Sequence, residues 1–167
     1  RQELIETLSS YQSNFAEELT FRDSFLSLLQ HTDAYQRWHL PGHITCSGWI
    51  INPQKTKVLL LQHRKLNRWL QPGGHADGDE HVHRVALKEI EEETGLQESQ
   101  LSKPSLFDLD IHLIPESANM PAHHHYDLRL IFECSEHSPV QANHESRELR
   151  WVSFEEALSL SGHEKSF

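Results

Sequence analysis

The sequence predicts a single compact domain of helices and strands, of α/β or α+β class, preceded by a helical segment. Three observations carry this expectation. Apolar residues recur at helical spacing through the first forty positions, several later stretches read as strands, and one strongly acidic helix follows a glycine-rich loop. The 167 residues suit one hydrophobic core, and a 37% hydrophobic and 24% charged composition is that of a folded globular chain.

Taken in order, Leu4, Leu8, Tyr11, Phe15 and Leu19 repeat at three- and four-residue spacing, as do Phe21, Phe25, Leu28 and Leu29. Thr20 and Asp23 resemble a capping box with Asp in place of Glu, so a second helix is expected to start there. Residues 1–40 are therefore expected to form a helical extension packed on a main domain of residues 41–167, with a dimer interface as one use for it. "LPGH" then breaks the helical pattern. "ITCSGWIIN" and "KVLLLQHR" read as strands, and "KLNRWLQPGGHADGD" reads as a loop. Glu80 to Thr94 is helical, with Gly95 at the C-terminal cap position. "SLFDLDIHLI", "HHHYDLRLIFEC" and "LRWVS" supply further strands, and Ser153 caps a last helix, "FEEALSL".

Charge and composition exclude several classes of function. A formal net charge of -10 disfavours a nucleic-acid or anionic-membrane surface, which requires clustered Lys and Arg. Nothing approaches the roughly 18 consecutive apolar residues of a membrane span. The two cysteines, Cys46 and Cys134, lie in apolar stretches and suggest no disulfide framework, so a reducing, cytoplasmic setting is expected. An anionic substrate would have to be received by local cations or by bound metal.

The acidic helix carries Glu89, Glu91, Glu92 and Glu93 within five positions. On a helical wheel, Glu89, Glu92 and Glu93 fall within about 80° of the apolar direction set by Val82, Val85 and Ala86, whereas Glu91 points to solvent. A charge run ordinarily just solvates a helix. Here three anions share a partly buried face, and burying one unpaired charge costs several kcal/mol. Lys88 cannot neutralise three carboxylates. A divalent cation can, and oxygen ligands without sulfur favour Mg²⁺ or Mn²⁺. The preceding "PGGHADGDE" offers glycine backbone close to a helix N-terminus, where a phosphate or a metal can be approached.

These residues resemble the Nudix hydrolase signature G-x5-E-x7-R-E-U-x-E-E-x-G-U, where U is aliphatic. Gly74, Glu80, Glu89, Ile90, Glu92, Glu93, Gly95 and Leu96 occupy its positions, and Lys88 replaces the arginine. The resemblance covers roughly Gly42 to Leu160. It implies an α/β/α sandwich with a mixed sheet, and hydrolysis of a nucleoside diphosphate linked to another moiety. It also implies that Glu89, Glu92 and Glu93 hold Mg²⁺ or Mn²⁺ with help from the Gly74 carbonyl, that Glu80 supports the site from its edge, and that Lys88 orients its neighbours. An acidic residue before the closing strand serves the family as metal ligand or general base. Glu145 is the candidate, with Glu136 second. An isopentenyl-diphosphate isomerase-like enzyme and a non-catalytic nucleotide sensor are the competing readings.

Outside the box, His63, Arg64, Lys65 and Arg68 form a local basic cluster, suited either to solvent or to a distal phosphate of a small nucleotide-type diphosphate. Trp69 could stack on a base or anchor a core. In "HHHYDLRL", alternation puts His123, His125, Asp127 and Arg129 on one strand face. Arg129 is expected to pair a phosphate, and Tyr126 or a histidine to meet the base or sugar. A zinc site would use His123 and His125, with no third ligand identified.

Overall fold

A computed structural model describes residues 1–160. Its elements run α1 (Gln2–Ser10), α2 (Ala16–Leu28), β1 (Gly42–Ile51), β2 (Lys57–His63), β3 (Arg68–Leu70), β4 (Gly73–His75), α3 (Val82–Thr94), a 3-10 turn (Glu98–Gln100), β5 (Ser105–Ile114), β6 (His123–Glu133), β7 (Ser146–Ser153) and α4 (Phe154–Leu160). The expected α+β class holds: four helices accompany a seven-stranded mixed sheet of order β3-β2-β1-β6-β5, with β4 paired to β1 and β7 to β2. Among the described residues no helix is long and apolar enough to cross a membrane. The last seven residues of the expected 41–167 domain lie outside the described residues.

The chain groups into two compact units. The first comprises Arg1–Cys46, Gly74–Val85 and Leu106–Arg129. Its helices are anchored by residues one turn or a few turns apart: Leu4 and Leu8 from α1, and Phe25 and Leu28 from α2, are all buried. The helical periodicity is confirmed but the break falls elsewhere. Tyr11 adopts an extended conformation after α1, and α2 begins at Ala16, so Thr20 is interior and starts nothing. Its hydroxyl instead donates to the Ala16 carbonyl at 3.2 Å, the back-bonding that mid-helix Ser and Thr adopt. Phe25 meets the Tyr126 ring edge-on, with centroids 5.3 Å apart. Beside this contact β1 and β6 approach so closely that a Cβ on Gly42 would lie 2.7 Å from the His124 carbonyl oxygen and 2.8 Å from the Tyr126 ring. Backbone cannot swing aside. Gly42→Ala is therefore expected to cost about 1–3 kcal/mol by overpacking, readable as a lower urea midpoint at unchanged slope.

The second unit comprises Ser47–Gly73, Ala86–Ser105 and the chain from Leu130 onward. Its core cluster is Trp49, Ile51, Val58, Leu60, Trp69, Val152 and Ala157. The apolar run of β2 is buried from Val58 to Leu61, and it pairs antiparallel with β1 (Ile50 opposite Leu59), β3 (Leu61 opposite Leu70) and β7 (Leu59 opposite Trp151). Helix α3 ends at Gly95, whose φ of 74° suits glycine and whose N–H donates to the Glu91 carbonyl at 2.9 Å. Ser153 accepts the Glu156 N–H at 3.1 Å ahead of α4, as its capping role requires. The segment read as one long loop contains β3, which folds back on β2 as a hairpin, and β4, which pairs with β1.

Candidate active site

The acidic face of α3 sinks unevenly into the second unit. Ala86, Ile90 and Thr94 are buried on this helix, and Glu93 is carried in with them at 7% exposure. The side chain of Glu89 is 14% exposed and that of Glu92 is 55% exposed. The wheel thus places Glu93 correctly, while Glu92 stands further toward solvent than an equal sharing of the face would give. Glu91 is exposed and accepts from the Gln97 side chain at 3.1 Å, in keeping with a solvent role.

Glu93 accepts the backbone N–H of Gly73 at 2.8 Å through Oε2. Burial pushes its carboxyl up to about 7, and Glu89, Glu145 and Glu92 add to the rise, while the Gly73 N–H opposes it. Lys88 lies 3.4 Å from Glu89 and 3.5 Å from Glu92, across its exposed side. Burial would lower its pKa, but the two carboxylates outweigh that and hold the ammonium above its ordinary value. Lys88 thus meets Glu89 and Glu92, while the buried Glu93 feels the charges of Glu89, Glu145 and Glu92.

Glu145 reaches this cluster from the loop before β7, and its charge is felt at Glu93. Arg64 sets that loop: its guanidinium donates to the His144 and Ser146 carbonyls at 3.1 Å each, and its N–H donates to the Glu145 carbonyl at 2.7 Å. Arg64 is thus tied to backbone on both sides of Glu145. Arg68 is exposed in β3. Trp69, read as a base-stacking candidate, instead lies in the core cluster with the Arg150 guanidinium 4.7 Å above its ring. Glu136 forms an ion pair with Lys57.

The remaining candidates belong to the first unit. Gly74 is half-buried in β4, and Glu80 pairs with Arg1 at 2.8 Å. Arg129, expected at a phosphate, is 4% exposed and meets Asp108 at 2.8 Å, Asp110 at 2.9 Å and Asp127 at 3.3 Å. Its fork is engaged by these three carboxylates, which leaves a phosphate no approach. Tyr126, expected near a base or sugar, packs against Phe25.

The NUDIX domain family model matches residues 41–166. The chain belongs to the NUDIX family. A Mycobacterium tuberculosis protein provisionally named 8-oxo-dGTP diphosphatase 3 is 30% identical over 116 residues, which are 66% of this chain and 51% of that protein. The chain thus spans about half the length of that relative. Among solved structures, a C. elegans Ap4A hydrolase binary complex superimposes with a TM-score of 0.57 at 20% identity, covering 71% of this chain and 85% of that one. The E. coli dihydroneopterin triphosphate pyrophosphohydrolase gives a TM-score of 0.59 at 16% identity, with coverages of 71% and 85%. At these identities the two structures speak for the NUDIX fold alone.

Proposed function

We propose that this NUDIX chain, with residues 41–167 as its catalytic domain and residues 1–40 as an extension, is a metal-dependent hydrolase of a nucleoside diphosphate linked to another moiety. The observation that carries the reading is the buried Glu93 carboxyl, which accepts the Gly73 N–H and whose ionisation Glu89, Glu145 and Glu92 oppose, with Lys88 paired to Glu89 and Glu92 rather than to Glu93. Such a group is costly to ionise alone, and a bound cation would offset that cost. A donor set of carboxylate oxygens, without sulfur or imidazole, fits Mg²⁺ or Mn²⁺, so Glu89, Glu92 and Glu93 are the residues that would hold it. When bound, the ion would offset the pyrophosphate charge, polarise phosphorus and lower the pKa of a coordinated water.

The chain's own residues supply the rest. The Gly73 N–H keeps the Glu93 carboxylate in one orientation. Lys88 straddles Glu89 and Glu92 and holds their side chains together, but as a point charge it lacks the bidentate fork of an arginine. Glu145, on the loop secured by Arg64, is the group assigned to accept the proton of the attacking water.

The test is a panel of ADP-ribose, nucleotide sugars, dinucleoside polyphosphates, NADH and oxidised nucleoside triphosphates, incubated with Mg²⁺ or Mn²⁺ and read by product mass. Glu92→Gln serves as the blank. Divalent-dependent release of two phosphate-bearing products is expected, reduced at least about 100-fold in the variant. An unchanged rate in Glu92→Gln would sink the mechanism.

A further inference from the structure

Three buried or half-buried imidazoles lie together in the first unit, at the start of β1 and the start of β6. His43, His123 and His125 each present a ring nitrogen, and these atoms all lie within 4.8 Å of one another. The ring centroids of His43 and His123 are 5.0 Å apart, those of His43 and His125 5.1 Å, and those of His123 and His125 5.2 Å. None of the three is among the carboxylates assigned to hydrolysis.

The hydrogen bonds around the rings select which nitrogens face inward. His123 Nδ1 contacts the Pro121 carbonyl at 2.8 Å and His43 Nδ1 contacts the His39 carbonyl at 3.3 Å. A carbonyl can only accept, so in each ring Nδ1 carries the hydrogen and Nε2 carries the lone pair. This carbonyl-to-imidazole arrangement is the outer support that fixes the tautomer of a metal-binding histidine. The inner atoms are then left wanting: His43 Nε2 and His125 Nε2 are buried side-chain nitrogens with no hydrogen-bond partner. Buried polar atoms are nearly always satisfied, and two orphans on neighbouring rings call for a common partner.

A proton is a poor answer to that need. Burial is the main reason that the pKa values of both His43 and His125 are pulled below that of a free imidazole; the His39 carbonyl opposes this at His43, and the surrounding imidazoles add to it at both. Neutral imidazole is the ligating form. His75 and His112 flank the group, with centroids 4.9 Å and 5.5 Å from His125, and enclose it in nitrogen chemistry. All-imidazole donors suit zinc and its neighbours in the transition series, and are foreign to Mg²⁺, which takes oxygen.

We propose that His43, His123 and His125 form a three-imidazole site for a divalent transition-metal ion of the Zn²⁺ class, distinct from the carboxylate cluster, that ties the start of β1 to the start of β6. A fourth, small ligand from solvent completes the coordination, as three-histidine sites allow.

The test uses the full chain, stripped with chelator and titrated with Zn²⁺ alone. One equivalent per chain is expected to survive gel filtration, to resist millimolar Mg²⁺ and to raise the melting temperature. His43→Gln and His125→Gln are each expected to weaken Zn²⁺ binding at least about 100-fold, while His124→Gln, on the opposite strand face, leaves it unchanged. Glu92→Gln also keeps the Zn²⁺, so failure of the hydrolase reading and failure of this one are separable. Should either buried-histidine variant not fold, X-ray absorption of the Zn²⁺-loaded unmodified protein decides, with three imidazole nitrogens at about 2.0–2.1 Å expected. Substoichiometric binding, full binding in His43→Gln, or fewer than three imidazoles on the zinc overturns the proposal.

Discussion

Glu93→Gln is expected to remove at least about 100-fold of the turnover while making the metal-free protein more stable at neutral and alkaline pH. The two effects share one cause. In the folded state the Glu93 carboxyl sits near 7 instead of the ordinary 4.5, chiefly through burial and then through Glu89, Glu145 and Glu92. A folded pKa raised above the unfolded one means that the native state binds more protons between those two values. Its stabilising contribution is complete below about pH 4.5 and is lost as pH rises through about 7. Ionised Glu93 is therefore a cost to the fold at pH 8, on the order of 3 kcal/mol from a shift of that size. Glutamine keeps an oxygen for the Gly73 N–H and carries no charge. Urea unfolding in chelator should show the variant close to wild type at pH 4 and more stable by a margin that grows to pH 8. A margin independent of pH would show that burial of charge is not what perturbs this residue.

Arg129→Met should have the opposite character, a loss of about 3–5 kcal/mol with no specific effect on a catalytic step. The arginine serves three carboxylates at once, and Asp127 also accepts the Thr45 hydroxyl at 3.1 Å. Removing the cation leaves one buried and two half-buried carboxyl groups facing one another. Burial already raises the Asp108 carboxyl, although Arg129 opposes it. Acid should therefore narrow the deficit by protonating the abandoned group, and Arg129→Lys should recover only part of it, because an ammonium cannot present the planar fork. Urea midpoints at pH 5 and pH 7 measure both. A loss below about 1 kcal/mol would mean the cluster is held by something other than this cation.

The parts of the molecule legible in the sequence are those whose geometry is local. Glu93 could be assigned to the inner face of a helix because 3.6-residue periodicity needs no tertiary partner, and α3 runs from Val82 to Thr94 within the expected span. Trp69, open between a base and the core, and Arg129, expected at a phosphate, are hard to place for the reverse reason. An aromatic beside a glycine loop and an arginine on a strand both look available to a ligand until Arg150, and Asp108 and Asp110 from the neighbouring strand, arrive beside them. Glu92 shows the limit of the wheel itself, which gives direction but not depth. His43 is the instructive omission. It stands 80 residues before His123, and only the pairing of strands reveals it as the third imidazole. The sole hint was an unusual wealth of histidine, 14 in 167 residues.

The grip of Arg64 on the loop of Glu145 is independent of the loop's own side chains. Its guanidinium holds main-chain oxygens of His144 and Ser146, and every amino acid provides such an oxygen. The loop can therefore exchange its exposed side chains, His144 and Glu145 among them, without slipping from its mooring, whereas Arg64 itself has no substitute of equal reach. Exchanging those side chains would retune the chemistry of the loop while leaving its architecture alone.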